Sequence, residues 1–189
     1  MSGSRFGGGL AFLFALVLAS CAGGGASSVP PHSYDLGIET PATNMPAVEL
    51  RSVRAVRPFD STAMYYRLAY RDAEELVPFA QSRWAAPPGE LVRKQLARAT
   101  RAGTPRCALE IEVQEFSQVF SAPDTSSAHF ELVATLNVPS GNVETRALRL
   151  SEAGAGSTAA QGVKAMQRVV TRAITELVQW IDGVAGCRG

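Results

Sequence analysis

Histidine is nearly missing from this chain, which has only two, and neither His32 nor His129 lies in a motif. A histidine-based zinc site or general base therefore has no sequence support. Downstream of Cys21 there is no Cys-x-x-Cys, His-Glu-x-x-His or Gly-x-Ser-x-Gly pattern, and no phosphate-binding glycine loop. The acidic pairs Glu74–Glu75 and Glu110–Glu112 are the nearest thing to catalytic carboxylates, and exposed strand faces account for them. The chain is read as a non-enzyme that needs no cofactor and no metal.

An excess of one charge sign is also lacking, with 18 Lys and Arg against 17 Asp and Glu. This argues against nucleic-acid binding and against a polybasic membrane patch. Long apolar runs are scarce: the best, residues 10–18, follows a lone Arg5 and a glycine-rich stretch. As a helix it would measure about 14 Å, half of the ~30 Å that a spanning segment must cross. A positive start, a short apolar run and small residues before a cut describe an export signal. The run ends Leu18, Ala19, Ser20, Cys21, which resembles the lipobox of bacterial lipoproteins at all four positions. That resemblance implies cleavage before Cys21, removal of residues 1–20, and acylation of Cys21; an ordinary secretory signal followed by a chance cysteine is the other reading. Two or more acyl chains give lasting attachment. Ala22, where retained lipoproteins carry Asp, implies passage to the periplasmic face of the outer membrane.

Cysteine is scarce as well: setting Cys21 aside leaves Cys107 and Cys187, an even pair in an oxidising compartment. A disulfide between them is expected, with two separate buried thiols as the alternative. Residues 21–32 are mostly Gly, Ala, Ser and Pro without a charged side chain, too poor in apolar groups to offset ordering entropy, and read as a lipidated Cys and flexible tether. Residues 33–189 then form one domain of ordinary size.

Within it, short strands are expected at residues 33–36 and 47–56, and a hairpin from residues 64–70 and 74–79, with Pro78 at a strand end or edge. A helix should start near Pro88, bury Leu91, Leu96 and Ala99, and stop by Gly103 and Pro105. Cys107, Leu109, Ile111 and Val113 alternate, after which the apolar phase slips to Phe116 and Phe120, predicting a bulge near Gln114 and Glu115. Ala128, Phe130, Leu132, Ala134 and Leu136 share one face of the next strand; a Pro139-Ser140-Gly141 turn leads to a third. From Ala159 to Val184 apolar residues recur every three or four positions, giving a long amphipathic helix. The fold class is α+β: one domain, an antiparallel or mixed sheet with a middle helix and a long C-terminal helix packed on it.

Several segments together resemble the ABC-type transport auxiliary lipoproteins, including the paraquat-inducible C-type lipoproteins. They are Tyr34-Asp35-Leu36, Met64-Tyr65-Tyr66-Arg67, the run from Arg83 and Trp84 to Pro88, the strand from Glu115 through Phe120, and the final helix through Trp180. The resemblance implies a non-enzymatic part of an envelope lipid-transport machine that works with a periplasmic protein of the mammalian-cell-entry type. It further implies a ring-like homo-oligomer at the outer membrane. Tyr65, Tyr66, Arg67, Arg83 and Trp84 form the candidate interface, since Tyr, Trp and Arg combine contact area with a polar handle. Filling of the core by Trp84 and one tyrosine is the simpler alternative. The competing function is an envelope-assembly lipoprotein of the polysaccharide-export, lipopolysaccharide-assembly or secretin-pilotin type; a solute-binding protein is a third.

Overall fold

The computed structural model describes residues 30–38 and 44–187, together with Gly3. Apart from Gly3, the expected leader, Cys21 and the tether up to residue 29 lie outside the described residues. Chain contacts divide the molecule into two units, Met1–Pro30 and Pro31–Gly189. The second unit holds every element described below.

In chain order it contains β1 (His32–Tyr34), β2 (Val48–Ala55), β3 (Ala63–Leu68), β4 (Asp72–Trp84), α1 (Pro88–Ala99), β5 (Cys107–Ala122), β6 (Thr125–Asn137), β7 (Val143–Ala153) and α2 (Ala159–Gly183). The strands form one seven-stranded mixed sheet in the order β1-β4-β3-β5-β6-β7, with β2 added to β5. The fold is α+β, as the sequence pattern predicts.

β5 organises the sheet. One edge carries the antiparallel meander β5-β6-β7, while β2 and β3 follow one another in parallel along the other edge. The predicted phase slip is present: Val113 pairs with Leu132 but Glu115 pairs with Glu131, so one residue of β5 is left over between them. The extra residue returns Phe116 to the buried face opposite Phe130, where the rings meet edge to face at 5.7 Å.

The β3–β4 hairpin is longer than its apolar pattern suggests, running to Trp84 where the pattern ends at Phe79. Ala63 pairs with Arg83 and Tyr65 with Pro78, so β4 bulges there, and a bulge destroys the period-two signal. Pro78 sits beside this irregularity. β1 covers only Ser82–Trp84, so among the described residues the side of β4 away from β3 has no strand partner at Pro78, a position where a missing N–H costs little.

Both helices cover the same face of the sheet. α1 buries Leu91, Val92, Leu96 and Ala99, and its second residue lies directly on β2: a Cβ on Gly89 would come within 2.9 Å of the Arg54 Cα. α2 buries an unbroken stripe from Ala159 to Ile181 against β6 and β7. Its first turn is closed by a capping box in which Thr158 and Gln161 satisfy one another's backbone N–H groups. Gly162 lies where α2 meets the Gln118 side chain, and a Cβ there would overlap the Gln118 amide and force it to shift. Cys107 and Cys187 form a disulfide with a Cα–Cα distance of 5.4 Å, tying the start of β5 to the segment after α2.

Candidate functional site

Among the described residues no helix covers the second face of the sheet, and strand pairing fixes what it displays. Tyr65, Ser117, His129 and Ser151 make one row across β3, β5, β6 and β7, and Glu115, Glu131 and Arg149 lie in the next. The acids there are paired: Arg67 Nη2 lies 3.0 Å from Glu115, Arg149 Nε 3.1 Å from Glu131, and Arg54 Nη2 2.8 Å from Glu112. Hydrogen bonds from Arg54 and Gln114 hold the Glu112 carboxyl below the usual carboxylate range. Burial pushes the His129 imidazole below its ordinary value, against the pull of Glu115 and Glu131, and Arg67 adds to the lowering.

Among the described residues this face brings together no complete catalytic set. Ser127 Oγ lies 2.9 Å from His129 Nε2, which superficially suggests a nucleophile and base. The carboxylates that would orient the ring are committed elsewhere, Glu115 to Arg67 and Glu131 to Arg149. The neighbouring N–H groups belong to the β5–β6–β7 ladder, leaving no donor pair for an oxyanion. What the face exposes is paired charge: Arg54, Glu110 and Glu112, with Ser52, Val133 and Thr135, line a shallow depression. Glu115 Oε1 and Ser117 Oγ lie beneath the surface, without a hydrogen-bond partner among the described residues.

The description that fits these features comes from comparison with known proteins. The model of the ABC-type transport auxiliary lipoprotein component matches residues 36–178. The chain belongs to that family. The fold of this auxiliary lipoprotein is shared with a Xanthomonas campestris protein of the DUF330 family known from its crystal structure. The TM-score is 0.64 at 20% identity over 79% of this chain and 94% of that one. A second crystal structure, of an uncharacterized protein, gives a TM-score of 0.62 at 15% identity over 81% and 99% of the two chains. No curated protein matches the sequence.

The five residues singled out in the auxiliary lipoprotein's sequence separate into different environments. Trp84 is in the core, 3% exposed, with its ring edge to face on Phe116 at 5.1 Å. It is a foundation beneath the surface and not part of it. Tyr65 and Tyr66 are neighbours on β3 and so point to opposite faces. Tyr65 meets Phe59 edge to face at 5.7 Å; Tyr66 packs between Phe79 at 4.6 Å and Phe120 at 5.9 Å. Arg67 is held by Glu115 and by the carbonyls of Ala73 and Glu74, while exposed Arg83 donates to Ser33 Oγ at 3.0 Å.

Sequence reasoning passed over the open-face cluster of Glu115, Ser117, His129 and Glu131. Its signal was the outward phase of β6, in which His129 and Glu131 alternate with buried Phe130 and Leu132. Glu74 and Glu75 are exposed on β4, and Glu110 accepts a hydrogen bond from Asn137 at 3.3 Å. Among the described residues no group of three His, Cys, Asp or Glu side chains is placed to hold a metal ion.

Proposed function

We propose that this protein is the non-enzymatic, lipid-anchored subunit of an envelope lipid-transport system of the mammalian-cell-entry type. It sits on the periplasmic face of the outer membrane and docks the distal end of a periplasm-spanning partner. The observation that carries the reading is a lipobox ending at Cys21 placed directly ahead of a family match over residues 36–178. Among the described residues no helix is long and apolar enough to cross a membrane; in this reading the acylated Cys21 is the anchor. Tyr65 and Arg67, which share one face of β3, supply part of the docking surface together with exposed Arg83; Tyr66, on the other face between Phe79 and Phe120, and Trp84, in the core, support the fold. Assembly into a ring of identical subunits belongs to the same reading; the outer edge of β7 is a long run of backbone groups to which another strand can pair.

Lipidation is tested with the Cys21→Ser variant. The expected result is loss of labelled-palmitate incorporation, accumulation of unprocessed precursor, and absence from the outer-membrane fraction. Label still entering the variant would show that Cys21 is not the acylated residue.

A further inference from the structure

The two helices gather positive charge that the composition of the chain conceals. The formal net charge of the whole sequence is only +1, which argues against a basic patch, yet the fold sorts the charges by layer. α1 carries Arg93, Lys94 and Arg98 against Glu90, and the first half of α2 carries Lys164, Arg168 and Arg172 with no acid.

Neighbouring acids offset only part of this. Lys94 lies 3.2 Å from Asp35, and Glu152 is shared by Arg168 at 2.9 Å and Arg172 at 3.1 Å, so one carboxylate serves two guanidinium groups. Arg98 donates to a neutral carbonyl, Gly37 O, at 2.8 Å, and among the described residues exposed Lys164 has no ion-pair partner. A positive surplus therefore remains at the helix surface.

The two basic stretches meet at one turn. Residues 35–37 lie between the helices: Gln95 of α1 donates to Leu36 O and Gly37 O, both at 3.1 Å, and Gln167 of α2 donates to Leu36 O at 2.8 Å. Gln167 in turn lines one shallow depression with Lys164, Arg168 and Arg172. Asp35 closes the turn by accepting from the Gly37 N–H at 2.7 Å, and Gly37 takes a φ of 77° with the Gln167 amide standing where a Cβ would be. The turn is thus fixed in place, with Lys94 and Arg98 on one side and the basic stretch of α2 on the other.

What the turn presents is Ile38, 83% exposed. The other exposed large apolar side chains among the described residues, Tyr70 and Val143, lie away from the helices, in the β3–β4 turn and at the start of β7. A lone isoleucine held out among lysine and arginine is unlike the centre of a protein interface, which is built from several packed anchors. It matches an interfacial membrane contact, in which an apolar side chain enters the headgroup boundary and cationic side chains face the phosphates.

We propose that Ile38 and the surrounding basic side chains of α1 and α2 form a peripheral contact with the anionic phospholipid surface of a bilayer. The inference rests on the lipid-anchored reading for the nearness of that bilayer, but the contact itself needs no lipid on Cys21. It orients the domain with its helices towards the membrane, which turns the open face of the sheet away from the bilayer and towards the periplasmic partner.

The test is vesicle co-sedimentation, at low ionic strength, of the mature chain, residues 21–189, carrying Cys21→Ser. The chain should bind vesicles of phosphatidylcholine mixed with phosphatidylglycerol, fail to bind phosphatidylcholine alone, and dissociate as salt is raised. Lys164→Gln combined with Arg168→Gln should weaken binding about 25-fold, roughly five-fold for each charge removed, and Ile38→Ser about ten-fold. All three positions are exposed, so the melting temperature should not change. No binding to the mixed vesicles, or binding that these variants leave intact, would overturn the proposal. Variants that bind vesicles as the parent does but lose cross-linking to a periplasmic protein would overturn it too, and would assign the surface to a protein partner. Because this chain carries no lipid, a failed palmitate-labelling result at Cys21 would count against the anchor reading alone.

Discussion

Replacing Trp84 with alanine should destabilise the domain by about 3 kcal/mol and lower its melting temperature by roughly 6 to 12 °C. The indole is almost wholly buried and packs edge to face on Phe116, which in turn packs on Phe130, so its removal opens a cavity in the middle of the core. Truncating a buried Trp or Phe costs about 3 to 5 kcal/mol. The lower end applies here because the Trp84 Nε1–H is buried with no partner, and its removal relieves a penalty of about 1–3 kcal/mol. Trp84→Phe separates the two effects: it keeps an aromatic ring on Phe116 and deletes the stranded donor, so its melting temperature should stay within about 4 °C of the parent. A Trp84→Ala protein that melts normally but no longer assembles would place this residue at an interface and contradict its position in the fold.

Removing the disulfide should cost about as much by a different route. The bond closes a loop with a sequence separation of 80, for which the chain-entropy model gives about 4 kcal/mol. The loop encloses the meander β5-β6-β7 together with α2, so the cross-link restrains the unfolded form of most of the core. Both cysteines are buried, so the double variant Cys107→Ala/Cys187→Ala is preferable to serine, which would add unpaired hydroxyl groups. Equilibrium unfolding in denaturant should show a lower midpoint for the double variant than for the oxidised parent. Equal midpoints, with two alkylatable thiols in oxidised parent protein, would show that the bridge is not formed.

Most of the central sheet could be read from the sequence because its signals are local. β6 alternates without interruption, the β5 bulge announces itself as a phase slip of one residue, and α2 carries a stripe at helical spacing over 25 residues. β4 runs beyond its apolar pattern, to Trp84, because its bulge opposite β3 erases the alternation after Phe79. The parallel seating of β2 and β3 along one edge of β5 left no trace in either strand, since strand order is decided by packing between distant segments. The same holds for function. Cys21 can be named from four consecutive residues, whereas the cluster of Arg67, Glu115, Ser117 and His129 exists only after three strands pair. The hold on the Leu36 and Gly37 carbonyls depends on Gln95, Arg98 and Gln167, 58 to 131 positions away in the chain. The aromatic and Arg-rich run from Tyr65 to Trp84 looked like one surface because it is continuous in sequence, yet alternation on β3 and the burial of Trp84 distribute it over both faces of the sheet and its interior.

The most direct test of the account is to isolate the mature lipoprotein, carrying a C-terminal tag, from cross-linked envelopes and identify what is bound to it. The account predicts recovery from the outer-membrane fraction with a periplasmic protein of the mammalian-cell-entry type, in an assembly containing several copies of this chain. Recovery with polysaccharide-export, lipopolysaccharide-assembly or secretin components, and without a mammalian-cell-entry protein, would contradict it.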